Sequence, residues 1–185
     1  AILNLWSETA VWVLGVYFKL QSFVFMPVFG LNQGAMPIMG YNFGARDKER
    51  LLKTYTTALK VAFTVMFLGL ALFQAFPTQL LMMFDASQEM LRIGIPALRL
   101  ISLCFPFAAF GIITATLYQA TGYGTYSLLV SLTRQFFGIL PLAYILIRIF
   151  GVTLVWLAFP LAEAIGVVMS AIMLKRLFKN EINNM

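Results

Sequence analysis

One residue in this sequence sits where its chemistry is expensive. Glu163 stands about 11 residues into the apolar stretch that runs from about Val152 to Leu174. At 1.5 Å per residue that is about 17 Å deep, near the middle of a bilayer. A carboxylate there costs several kcal/mol unless it is protonated, paired or wetted. Two roles suit it: a site that takes and releases a proton or a cationic substrate, or a structural partner for a cation on a neighbouring helix. Arg99 is the expected partner, since its helix enters from the same side and carries it to a similar depth; that pairing favours the structural role. Arg92, one heptad earlier, is expected to snorkel to the interface, as are Lys60 and Arg134 at the opposite helix ends. Lys19 fits either an interface or an interior cleft.

Polar amides form the second group. Asn32, Gln33 and Asn42 lie in Phe29–Ala45 among Gly30, Gly34, Gly40 and Gly44. The two Gly-x-x-x-Gly spacings permit close helix approach, and amides at that depth should avoid lipid. They serve either as interhelical hydrogen-bonding groups or as the wall of a substrate cleft. Met36 and Ser102 join Asn32, Gln33, Arg99 and Glu163 as cleft candidates. The ten methionines and eighteen phenylalanines suit a promiscuous wall for apolar cations, and equally suit ordinary lipid-facing or core positions. Phe25, Met26, Met36 and Met39 are the first of them to test.

The elements that must hold these residues are helical and membrane-embedded. Of 185 residues, 61% are hydrophobic and 11% charged, with a mean hydropathy of +0.88. A soluble domain carries roughly 25% charged residues. Spans need about 20 apolar residues, and five are read: about Ala10 to Ala45, Tyr55 to Phe76, Ile93 to Tyr118, Tyr126 to Ile147 and Val152 to Leu174. The fold class is therefore all-α, a polytopic membrane helical bundle with no soluble domain. The first span is too long for one simple crossing. It is expected to bend at Pro27 and Pro37 and to start at or beyond one interface, two re-entrant pieces being the alternative. Pro27, Pro37, Pro106 and Pro160 are read as hinges, with packing around bends as the plainer reading.

Charge sets the orientation. The net charge is +6 and the pI about 9.7, but the basic residues cluster at span ends, which argues topology rather than nucleic acid. The Arg46–Lys53 loop and the tail with Lys175, Arg176 and Lys179 fall on one face, expected to be cytoplasmic in a multi-pass cell-membrane protein. Tyr118, Tyr123 and Tyr126 are expected at that interface. There is no histidine and one cysteine, Cys104, so no internal disulfide and no histidine-based zinc site or proton relay is read. No metal site, no cofactor and no enzymatic activity are assigned. The opening Ala1-Ile2-Leu3 lacks an initiator Met and a basic signal-peptide start, so the chain is taken to begin inside a longer protein.

The run Phe23-Val-Phe-Met-Pro27-Val-Phe-Gly30, continuing through Gly34-Ala-Met-Pro37-Ile-Met-Gly40-Tyr-Asn42-Phe-Gly44-Ala45 into a basic loop, resembles the multidrug and toxic compound extrusion (MATE) family. It looks like the eighth helix of those twelve-helix transporters. Gly151-Val-Thr-Leu-Val-Trp156-Leu-Ala-Phe-Pro160-Leu-Ala-Glu163 looks like the start of their last helix. The resemblance implies that residues 1–185 form most of a C-terminal six-helix lobe, with the seventh helix and the N-terminal lobe supplied by the rest of the protein. It implies two lobes around a central cleft and efflux of drugs and organic cations by antiport against H+ or Na+. One departure stands out. Some members use an aspartate in the helix corresponding to Ile93–Tyr118, and this sequence has none there, which leaves the coupling ion open. The alternatives are a lipid-linked saccharide flippase, which would want a strongly cationic cleft, and a non-transporting structural membrane subunit. No Gly-x-x-x-x-Gly-Lys motif for ATP is present.

Overall fold

The computed structural model describes residues 8–151 and 154–185. The expected start of the fifth span at Val152 and the N-terminal Ala1–Leu3 lie outside these residues. Eight α-helices follow in order: α1 (Glu8–Gly44), α2 (Lys48–Ala75), α3 (Pro77–Met82), α4 (Gln88–Ser102), α5 (Phe105–Ala120), α6 (Gly124–Leu132), α7 (Leu140–Phe150) and α8 (Ala158–Asn180). A π-helical segment, Thr133–Ile139, joins α6 to α7. Among the described residues there is no strand. Four helical stretches are long and apolar enough to cross a membrane, and the α4–α5 pair, bent by 45°, makes a fifth. The all-α membrane bundle read from composition is the fold observed.

α1 is a single 37-residue helix. It would reach about 55 Å, well beyond the roughly 30 Å hydrocarbon core. It runs unbroken through Pro27 and Pro37, so the re-entrant alternative falls. α1 ends at Gly44, and Arg46 turns the chain with φ of 56°. Asp47 then caps α2, its carboxylate accepting from the Arg50 N–H at 3.0 Å. That cap starts α2 at Lys48, one to two turns before Tyr55, where hydropathy put the span. The charged first turns simply continue the helix past the apolar region.

The break in the third span has a local cause. Residues 103–104 separate α4 from α5, and Pro106 in the first turn of α5 cannot donate to the turn before it. The Arg99 carbonyl, released from helical pairing, accepts from Gln74 Nε2 of α2 at 2.8 Å, and the same nitrogen reaches Ser102 Oγ at 3.1 Å. A buried break in lipid needs such a partner. Pro160 is also near a helix start, three residues into α8, where a missing N–H costs little.

The core lies where α1, α2, α5 and α8 meet. Tyr17, Phe73 and Phe105 stack edge to face, with ring centres 6.3 and 5.1 Å apart, which suits the aromatic quadrupole. Tyr55 of α2 shares a 2.9 Å hydrogen bond with Thr114 of α5, and Tyr118 of α5 donates to the Ser170 carbonyl of α8 at 2.6 Å. Tyr118 is thus fully buried rather than interfacial. Gly69 leaves room for Val24 of α1. The α1–α2 loop and the tail meet on one end of the bundle through Lys48 Nζ and Asn183 at 3.1 Å, and Tyr123 donates to Glu181 nearby. Thr9 and Glu89 meet at the other end.

Candidate functional site

Glu163 is not paired with Arg99. Its Oε1 accepts from Arg134 Nη1 at 2.8 Å. Arg99 instead projects outward from α4, whose buried face is Gly94, Ala97, Leu98 and Ile101. The expected pairing judged depth along each helix but not the face. Arg134 was expected to snorkel; it sits ten residues beyond Gly124, about 15 Å into its span. There it lies in the π-helical segment and points across to α8.

Close packing fixes this contact. A Cβ on Gly138 would lie 2.8 Å from Ala162 Cβ, so Gly138 lets the two helices touch beside Glu163. One turn further along α8, Gly166 faces the Arg134 side-chain carbons at 3.7–3.8 Å. Small residues on either side of Glu163 therefore bring the guanidinium to the carboxylate. The π segment stands just ahead of Pro141, whose ring would clash with the Phe137 carbonyl in α-helical register. Widening the turn relieves the clash, and Leu140 N–H bonds to Gln135 O five residues back. Such segments concentrate at functional positions.

The pair opens onto a cavity of about 190 Å³. Asn32 of α1, Thr116 and Gln119 of α5, and Ser127, Ser131 and Arg134 of the α6 span contribute polar groups, with Glu163 from α8. Asn32 accepts from the Thr116 hydroxyl, and Gln119 donates to Ser127 at 3.1 Å. At about 30 Å³ per molecule, the cavity has room for several waters. Arg134 Nε is buried with no protein partner among the described residues, and such a group in lipid calls for water. Behind Glu163, Tyr17 of α1 and Cys104 at the α4–α5 break lie close together in the core. Tyr17 and Cys104 are 1% and 4% exposed, so this side of Glu163 is dry while the Arg134 side faces the cavity.

The structure brings together only two of the six cleft candidates, Glu163 and Asn32. Ser102 is buried but engaged with Gln74 at the α4–α5 break. Gln33 and Met36 are exposed on α1 and do not line the cavity. Lys19 lies over the Phe84 ring at 5.7 Å, outside the cavity. Gly30, Gly34 and Gly44 meet nothing within 4 Å, so of the two glycine pairs only Gly40 makes a close approach, to the Ala120 carbonyl at 3.3 Å. Arg134 was legible in one respect: it and Glu163 lie 17 and 12 residues from Gly151, close in height on an antiparallel pair.

This fold has known counterparts. A MATE multidrug transporter, DinF-BH, solved in a ligand complex, is similar over the whole chain at 33% identity with a TM-score of 0.84. A multidrug resistance MATE family transporter of the MOP superfamily is similar in its inward-facing and outward-facing forms, at TM-scores of 0.80 and 0.82 and 23% identity, covering 91% and 94% of this chain. A MOP superfamily transporter from Pyrococcus furiosus is similar at 23% identity and a TM-score of 0.80, covering 92% of this chain. The chain spans about 40% of the length of each. No curated protein matches the sequence. A sequence model of the MatE family matches residues 1–145. With well over half of its length matched in this way, the chain belongs to the MatE family.

Proposed function

We propose that these residues form most of the C-terminal lobe of a two-lobe multidrug exporter. It moves amphipathic, often cationic small molecules by exchange against a proton or a sodium ion. The observation that carries this reading is the Arg134–Glu163 pair facing a polar cavity inside a membrane bundle of this family. A carboxylate whose partner is a tethered arginine can exchange that partner for a free cation. Binding a proton or sodium at Glu163 releases Arg134; release of the ion restores the pair. Asn32, Thr116, Ser127 and Ser131 supply neutral oxygens, which stabilise a hydrated cation without adding a second fixed charge. In this reading Arg134 takes the place that Arg99 was expected to hold, and the ion pair is the coupling element rather than a structural tie alone.

The flippase alternative is not favoured, because Arg134 is neutralised by Glu163 and leaves little cationic character for a pyrophosphate. Pairing alone would serve a structural subunit as well; the opening of the pair onto a polar cavity is what favours ion exchange over a structural tie.

The test uses the full-length protein in proteoliposomes, with an imposed pH or sodium gradient and a fluorescent organic cation as substrate. Gradient-driven export is expected from the wild type. Glu163→Gln should retain substrate binding and lose at least tenfold of the gradient-driven rate. Unchanged gradient-driven export by Glu163→Gln would remove Glu163 from coupling, and no export under either gradient would remove the antiport reading.

A further inference from the structure

A second recess lies on the opposite side of α1 from the Glu163 cavity, between the last third of α1 and the first third of α2. It has a volume of about 920 Å³ and is open along one side. Its floor is apolar, with Leu31, Gly34 and Ile38 among its residues, and its rim carries Arg50, Lys53 and Thr54. Three properties of this recess coincide. The first is length. From Gly44 back to Leu31, and from Lys48 to Ala58, the walls run 13 and 10 residues, or about 15–20 Å at 1.5 Å per residue. That is the depth of one leaflet of a bilayer whose core is about 30 Å thick.

The second is charge. Lys53 makes no ion pair among the described residues, and Asp47 takes only the Nε edge of Arg50, at 3.4 Å. The rim therefore presents two cations and a hydroxyl where the apolar walls end. The third is position. The rim belongs to the end of the bundle that gathers the basic α1–α2 loop and the tail, the end that the positive-inside rule assigns to the cytoplasm, where anionic lipid is concentrated. An organic cation would be repelled by this rim, so the recess does not suit the substrate class proposed above.

We infer that the α1–α2 recess holds one anionic phospholipid of the inner leaflet, with a phosphate between Arg50 and Lys53 and an acyl chain along Gly34 and Ile38. Gly34 matters because a Cβ there would meet nothing within 4 Å; the bare backbone leaves the chain its track. This site is independent of Glu163, so its failure would leave the transport reading untouched.

The full-length protein, examined by native mass spectrometry with phosphatidylglycerol and separately with phosphatidylcholine, tests it. The wild type should retain phosphatidylglycerol about tenfold more strongly. Arg50→Gln with Lys53→Gln should abolish that preference, at roughly the loss two surface cations confer. Lys53→Arg should preserve it, and Gly34→Trp, whose Cβ would meet nothing within 4 Å, should lower retention of both lipids by filling the track. Equal retention by the wild type, or a preference that survives the double glutamine variant, overturns the site. So does an Ile38→Cys fluorophore in the full-length protein that lipid-borne quenchers cannot reach, because another part of the protein would then fill the recess.

Discussion

Removing Glu163 should harm the protein more than removing Arg134, although the two make one contact. With charge centres about 4 Å apart and an effective dielectric near 20, their attraction is about 4 kcal/mol. The Arg134 and Glu163 side chains are 35% and 15% exposed, and cavity water screens the pair, leaving about 2 kcal/mol of coupling. Glu163→Ala strands a guanidinium that cannot shed its proton and whose Nε already lacks a protein partner. The expected cost is about 3 kcal/mol. Arg134→Ala leaves a carboxyl that can neutralise itself by protonation and bond to the cavity hydroxyls, so the cost is about 1–2 kcal/mol. With a coupling of about 2 kcal/mol, the double variant should cost about 2–3 kcal/mol, no more than Glu163→Ala alone. Reversible unfolding of the full-length protein in mixed micelles measures all four corners of the cycle. Single costs that add to within about 0.5 kcal/mol, or a larger cost for Arg134→Ala than for Glu163→Ala, would refute the coupling as drawn.

Further expectations follow from neighbouring features. Gly138→Ala should destabilise by about 1–3 kcal/mol, because its Cβ would press on Ala162, whereas Gly34→Ala should be neutral or slightly stabilising; thermal unfolding compares them. Gln74→Leu should cost about 1 kcal/mol by removing the interhelical donor to the Arg99 carbonyl and Ser102 Oγ, which keep only the 3.0 Å bond between themselves, and an unchanged melting temperature would show that the break needs no partner from α2. At the bundle end, the Tyr123 hydroxyl is held above its ordinary value, first by its hydrogen bond to Glu181. A raised value means the contact contributes fully below about pH 10, the unfolded value, and is lost as pH climbs through the folded one. Ultraviolet titration of tyrosinate in the wild type, Glu181→Gln and Tyr123→Phe checks this; the transition that is missing in Tyr123→Phe should move downward in Glu181→Gln.

The sequence spoke most clearly where physics makes a residue costly. Glu163 stood out because a carboxylate in an apolar stretch must be answered, and the spans stood out because lipid demands uninterrupted apolar runs. Partner identity was harder to read. Hydropathy gives height in the membrane but not rotation about the helix, so Arg99 was matched to Glu163 and Arg134 left to the interface, whereas helix packing puts Arg99 on an outer face and Arg134 against α8. The same blindness placed Gln33 beside Asn32, although consecutive helical residues diverge by about 100°. Glycine spacing misled for a related reason. Gly30–Gly34 has the form of a contact motif, yet the close approaches fall at Gly40, Gly69, Gly94 and Gly138, where a particular neighbour happens to come near. Cap chemistry is written in the sequence: Asp47 and Ser87 precede their helices, and each side chain accepts from the backbone N–H three residues on.

The π-helical segment Thr133–Ile139 is the element that holds Arg134 against Glu163. Its register depends on Pro141, since an α-helical turn would drive the proline ring into the Phe137 carbonyl. Pro141→Ala removes that clash and restores a donor, so Thr133–Ile139 should relax to α-helix. Gaining α-helical register shifts the segment by one residue, a rotation of about 100° between the helix on either side, and should swing Arg134 away from Glu163. The double-mutant cycle repeated in the Pro141→Ala background should show coupling reduced from about 2 kcal/mol to below about 0.5 kcal/mol. If the coupling is undiminished, Pro141 does not set the register, and the pair is held by the Gly138 and Gly166 contacts alone.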